Sequence, residues 1–148
     1  MGMIAVSKVD EWYSSLPETD RIYRIIEKTM DDRSLKERIW ALMALGNSGD
    51  PRAVRSLVDC CKDQDPEIGL RAIEGLHNLR SGRAVEVLID RLRDKEELPK
   101  IRQRAAAALA AIRSYSAMKE LRIRNADTDE DGALRSFIGG ELDRVQIW

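Results

Sequence analysis

The side chains of this 148-residue chain that could act on a bond or hold an ion are one histidine, two cysteines and a run of acids near the C-terminus. His77 is followed by Asn78. A lone imidazole can serve as a base, but acyl transfer also needs a nucleophile placed against it, and no Ser-His or Cys-His motif accompanies this ring. In the repeat pattern set out below, its column otherwise holds Gly46 and Ala110, so His77 reads as an exposed histidine at a helix end. Cys60 and Cys61 are neighbours, which is no disulfide framework. Cys61 shares a column with Met30 and Leu92 and reads as core, whereas Cys60 shares one with Arg91 and Arg124 and reads as a surface thiol. Asp127-Thr128-Asp129-Glu130-Asp131-Gly132 puts acids at alternate positions ahead of a glycine, as a calcium loop does. The twelfth position of such a loop supplies a bidentate glutamate, and here it is Ile138. With no Gly-rich phosphate cradle either, the expectation is a chain with no catalytic, metal or cofactor-binding residues and no enzymatic activity of its own.

What positions these residues is a repeat. Asp32, Asp63, Asp94 and Asp127 stand 31, 31 and 33 residues apart, and most of their surroundings recur at the same step. Short polar residues, Thr19, Asp50, Ser81 and Ser114, open each unit, and Arg21, Arg52 and Arg83 follow in three of them. Each unit reads as helix, turn, helix. In the second, Val54, Leu57, Val58 and Cys61 form one stripe, and Ile68, Ala72, Gly75, Leu76 and Leu79 another. The first-helix columns are Tyr23, Val54, Val85, Met118 and Ile26, Leu57, Leu88, Leu121; the second-helix columns are Ala41, Ala72, Ala105 and Leu45, Leu76, Leu109. One such hairpin cannot bury its apolar face alone, so stacking makes the fold.

The expected domain is single, over residues 1–148. A capping helix lies in 1–17, carrying Val9, Trp12, Tyr13 and Leu16; repeats follow at 18–48, 49–79, 80–112 and 113–143; a tail occupies 144–148. The polar openers, with Ser34 and Asp65, predict N-caps, and Pro51, Pro66 and Pro99 predict first helical turns. Two extra residues around Lys95 to Leu98 lengthen the third step and predict a protruding loop. The last unit aligns Leu134, Ile138 and Leu142 with Ile101, Ala105 and Leu109, interrupted by Gly139 and Gly140.

The run from Ala44 to Val54, with Leu57, Val58 and Asp63 to Pro66, resembles a HEAT repeat of the short kind found in phycobilisome lyases. The resemblance implies an all-α fold, an α-α superhelix with first helices on the convex side and second helices lining the concave side, and a protein that binds other macromolecules. It transfers no bilin-lyase chemistry, since no lyase motif accompanies the repeats. Some HEAT-like hydroxylases hold a metal pair with His-Glu dipeptides on successive repeats, and His77-Asn78 cannot build that site. HEAT-like DNA glycosylases use a basic concave surface. This chain balances 25 basic against 26 acidic residues, so although Arg71, Arg102 and Arg104 could touch phosphate, nucleic acid is disfavoured as the partner.

Helical geometry then predicts the partner face. Ile39, Met43 and Leu70 fall at outward positions of the second helices with Trp40 at the border, and Arg71, Glu74, Gln103 and Arg104 lie beside them. Apolar anchors ringed by Arg and Glu are what interface hot spots look like, although Trp12, Tyr13 and Leu16 could cover Ile39 and Met43 instead. The expected function is a protein-protein scaffold with its partner on the concave face; the alternatives are an accessory or lyase-like subunit assisting a cofactor-handling enzyme and a nucleic-acid-binding module. The apolar end, Ile147 and Trp148, must dock on its own repeat or on a second copy, making a homo-oligomer. No apolar run is long enough to span a membrane, and nothing near the start reads as a signal peptide, so a cytoplasmic protein is expected.

Overall fold

The computed structural model describes residue 11 and residues 18–30 and 34–145. The capping helix expected in 1–17, Asp32 and the tail residues Ile147 and Trp148 lie outside them. Four helical hairpins follow one another. They are α1 (Glu18–Thr29) with α2 (Leu35–Asn47), α3 (Val54–Cys60) with α4 (Pro66–Leu79), α5 (Val85–Arg93) with α6 (Pro99–Ile112), and α7 (Tyr115–Ala126) with α8 (Gly132–Val145). Single 3-10 turns at Pro51–Ala53 and Gly82–Ala84 lead into α3 and α5.

The predicted caps form. Ser34, Asp50, Asp65, Ser81 and Ser114 each accept a hydrogen bond from a backbone N–H two or three residues on, contributing about 1 kcal/mol apiece. Thr19 does not open its helix but lies inside α1. The aspartate column has a local cause: Asp63, Asp94 and Asp127 each accept from the N–H two residues on, at 2.9, 3.0 and 2.9 Å, which fixes the turn inside the second, third and fourth repeats.

One apolar seam, from Ile22 and Ile25 through Leu57 and Leu88 to Leu142, runs the length of the stack. The second helices α2, α4, α6 and α8 pack closely on one another, whereas the first helices meet much less, so the stack curves towards its second helices and these line the concave side. The backbones of α2 and α4 approach closely where the two helices cross. A Cβ added to Gly46 would stand 2.7 Å from Gly75 Cα, so the two backbones touch.

Besides Thr19, three expectations are corrected. In the first repeat the buried residues are Ile22, Ile25 and Thr29, one place before the Tyr23, Ile26 and Met30 read from the columns; Tyr23 and Met30 are exposed. Ile22, Ile25 and Thr29 precede the buried Val54, Leu57 and Cys61 by 32 residues, while Ala41 and Leu45 precede Ala72 and Leu76 by 31, so the first helix is offset by one residue against the second. Cys60 is buried alongside Cys61, at the end of a short helix covered from the side of Arg38. Gly139 and Gly140 do not interrupt α8, which continues to Val145.

An arginine column passed unread among the apolar ones. Arg38, Arg102 and Arg135 send Nε to the carbonyls of Thr29, Leu92 and Asn125 at 2.8, 2.9 and 3.2 Å, tying each second helix to the end of its first. The first two then reach into the following repeat, Arg38 to Asp63 at 2.6 Å and Arg102 to Glu130 at 2.8 Å. The second repeat has Gly69 in this column, where an added Cβ would meet only the Cys61 carbonyl, at 3.6 Å. Gly69→Ala is therefore expected to raise stability by about 0.5–1 kcal/mol through helix propensity and chain entropy. Gly69→Arg should raise it further by restoring the missing tie. A thermal melt of Gly69→Arg below that of Gly69→Ala would show that the tie does not form.

Candidate partner-binding face

The eight residues expected to form one face are divided by the structure. In the interior of the stack each second helix has a neighbour on both flanks, so α4 exposes only a narrow arc containing Arg71, Glu74 and Asn78. Leu70 falls outside this arc and is buried in the core, contrary to its expected outward position. Ile39 and Trp40 are half-buried against the core. Met43 remains 48% exposed. Gln103 and Arg104 are exposed on α6, but Gln103 opens onto a different cleft.

What comes together is Met43, Arg71 and Glu74, with Arg104 at the margin. Arg71 Nε lies 3.0 Å from Glu67 Oε1 and its terminal nitrogen 3.2 Å from Glu74 Oε2, while Glu74 Oε1 faces Arg104 Nε at 3.9 Å. Burial works against the Arg71 charge, but Glu67 and Glu74 outweigh it and hold its pKa above the ordinary value. Half-exposed ion pairs of this kind add little stability. Their effect is to hold the guanidinium beside a shallow cleft of about 100 Å³ lined by Leu42, Met43, Asn47, Glu74 and Asn78, with Gly46 and Gly75 in it. The two glycines bring the backbones together and leave this strip of the face free of bulky side chains.

A larger cleft, about 250 Å³, lies between the inserted loop and the last repeat, lined by Lys95, Glu97, Pro99, Gln103, Asp131 and Leu134. The insertion predicted the loop; no sequence signal marked the cavity beside it. Arg102, expected to be free for phosphate, also borders this cleft but is buried, its guanidinium committed to Glu130 and to the Leu92 carbonyl.

The side chains with intrinsic reactivity have local roles. His77 is half-buried instead of exposed, and burial, then the Arg80 charge, lowers its pKa, so it is neutral at neutral pH. Burial raises the Cys60 thiol against the opposing influence of Arg38, and burial with the neighbouring Cys60 pushes Cys61 up to about 12. Both thiols stay protonated at neutral pH, the unreactive form. In the acidic run, Asp127 accepts from the Asp129 N–H, Asp131 from the Leu134 N–H, and Glu130 pairs with Arg102, so these carboxylates diverge into turn, cap and core. Among the described residues no three His, Cys, Asp or Glu side chains converge as metal ligands.

Stacked antiparallel hairpins, a shared seam and a concave layer of second helices define an α-solenoid. A family model described as HEAT repeats matches residues 23–110, more than half of the chain, and the chain belongs to that family. The model is of HEAT repeats in general and does not single out the phycobilisome-lyase form. Among solved structures, human deoxyhypusine hydroxylase in complex with glycerol is similar, with a TM-score of 0.73 and 26% identity over 82% of this chain and 42% of that one. The chain thus spans less than half the length of that enzyme. No curated protein sequence matches it. No helix among the described residues is long and apolar enough to cross a membrane.

Proposed function

We propose that this chain is a non-enzymatic protein-binding scaffold of the cytoplasm that seats a segment of a partner protein along the concave layer, at the groove between α2 and α4. The observation that carries this reading is Met43: a large apolar side chain, 48% exposed, beside a held arginine and over a strip floored by two glycines. Methionine adapts its shape to a partner, and an arginine already oriented by carboxylates loses less freedom on binding. Ile39 and Trp40, on the same helix as Met43, are half-buried against the core. HEAT-repeat membership supports a recognition role without naming the partner.

The test is quantitative affinity capture with wild type, Met43→Glu, Arg71→Glu and, as a control on the exposed face of α3, Arg55→Glu. Partners retained by wild type and the control, and lost by roughly tenfold or more from the two groove variants at unchanged helicity and melting, support the groove. Equal retention by all four removes it. The likeness to a hydroxylase favours a second reading, an accessory subunit that presents a cofactor or substrate to an enzyme. A small molecule travelling with the purified chain through gel filtration would support that reading.

A further inference from the structure

A net charge of −1 conceals a separation of charge across the stack. Antiparallel hairpins place every turn within a repeat on one long edge and every turn between repeats on the other. The Arg38–Asp63 and Arg102–Glu130 pairs link successive turns of the first kind. At the opposite edge Arg52 lies over the Tyr23 ring, 5.2 Å from its centroid, linking the starts of successive first helices. The first edge is rich in carboxylates, among them Asp65, Asp94, Glu96, Asp129 and Asp131. The turns between repeats on the second carry Arg52, Arg80, Arg83 and Arg113 against Asp50 and Glu86, while at the end of α8 Glu141 and Asp143 stand with Arg144, which pairs with Glu141. Asp50 is engaged by Arg52 at 2.6 Å. Arg80, Arg83 and Arg113 are exposed and make no ion pair among the described residues.

Two of these arginines occupy costly backbone positions. Arg80 and Arg113 end α4 and α6 in the left-handed region, with φ of 51° and 60°. Glycine takes this conformation without a Cβ clash and is the usual residue there. Here an arginine stands in its place twice, in equivalent turns; the backbone N–H of each caps its helix on Leu76 or Leu109, as glycine's would, and neither arginine side chain makes an ion pair among the described residues. Local strain of this kind concentrates where a side chain is required for binding. Two residues after Arg113 stands Tyr115, 81% exposed.

We propose that this edge binds single-stranded nucleic acid, with phosphates on Arg80, Arg83 and Arg113 and a base stacked on Tyr115. Guanidinium groups match phosphate oxygens in pairs. Adjacent helical layers lie about 8–10 Å apart, which strings Arg80 and Arg113 along a line and fits an extended polyanion better than an isolated phosphate. The exposed aromatic ring selects a strand with free bases over an acidic peptide or a duplex, whose charges it cannot complement and whose bases are already stacked. The acidic edge repels the same ligand and so orients its approach.

Fluorescence anisotropy with labelled twelve-residue oligo(dT) and oligo(U) tests this on the intact chain. Three phosphate contacts at roughly −0.7 each predict a log–log salt slope of about −2, so affinity falls about 15- to 20-fold between 50 and 200 mM salt. The Arg80→Gly/Arg113→Gly variant is expected to melt at or above wild type, because strain is relieved, and to bind at least about tenfold more weakly. Tyr115→Ala should weaken binding about fivefold or more, and Tyr115→Phe, which keeps the ring, should not. The assignment is overturned by absence of saturable binding at 50 mM salt, by unchanged affinity in the double-glycine variant, or by competition from a twelve-residue polyglutamate or a DNA duplex equal to that of the oligonucleotide.

Discussion

Arg102→Ala is expected to lower stability by about 3–5 kcal/mol, because it strands a buried carboxylate. The Arg102 side chain is 8% exposed and that of Glu130 1%, and the guanidinium also satisfies the Leu92 carbonyl at 2.9 Å. Arg124 stands 3.6 Å from Glu130 but is shared with Glu120 and Asp127, so it compensates only in part. Replacing both partners with apolar side chains, Arg102→Met with Glu130→Leu, should cost less than the single change, since no charge is then left without its counterpart. Urea unfolding of the two single variants and the double measures this coupling; additive losses would mean that the pair does not act as a unit. Acid provides a further check. Burial raises the Glu130 pKa, but hydrogen bonds from Arg102 and from the Asp131 N–H more than reverse it, so the folded carboxyl titrates below its ordinary range. Its contribution is complete above the unfolded glutamate range and is lost as pH falls through the folded value. Arg102→Ala should therefore flatten the acid limb of the stability profile.

Leu57→Ala is expected to cost about 2–5 kcal/mol, at the upper end of that range. Leu57 is fully buried, and both its δ carbons lie 3.1 Å from the point a Gly75 Cβ would occupy. The usual relief for such a cavity is collapse of the neighbouring helices. Here α2 and α4 already touch through Gly46 and Gly75, so they cannot close further and the void persists. In a solenoid each repeat is held only by its neighbours, so the loss falls on both junctions of the second repeat. A denaturant midpoint corresponding to a loss under about 1 kcal/mol would show that the helices do move in.

Periodicity revealed the hairpins because apolar spacing is imposed by the seam itself. It also located the caps Ser34, Asp50, Asp65, Ser81 and Ser114, whose side chains act within a few residues of their own position. It misread Tyr23 and Cys60, where the outcome depended on a one-residue offset of α1 against α2 and on a helix packed from elsewhere in the chain. Leu70 is a like case: a position judged outward from its own helix is buried in the core shared with the rest of the stack. Of the expected face, Met43, Arg71 and Glu74 meet because they belong to adjacent helices at the glycine crossing. Gln103, one helix further on, opens onto another cleft, a division no single-helix projection contains. The Arg38, Arg102 and Arg135 ties were visible in the columns, yet their acceptors are carbonyls, which sequence does not display.

The unequal packing of the two layers makes the chain a sprung rule. Flexing must hinge about the dense inner row, where helix-to-helix spacing is fixed by side chains in contact, while the looser outer row fans apart or closes. The pitch at which successive helices meet a ligand on the inside therefore stays nearly constant as the arc tightens or relaxes. Load applied from the back is absorbed without blurring the graduation on the front.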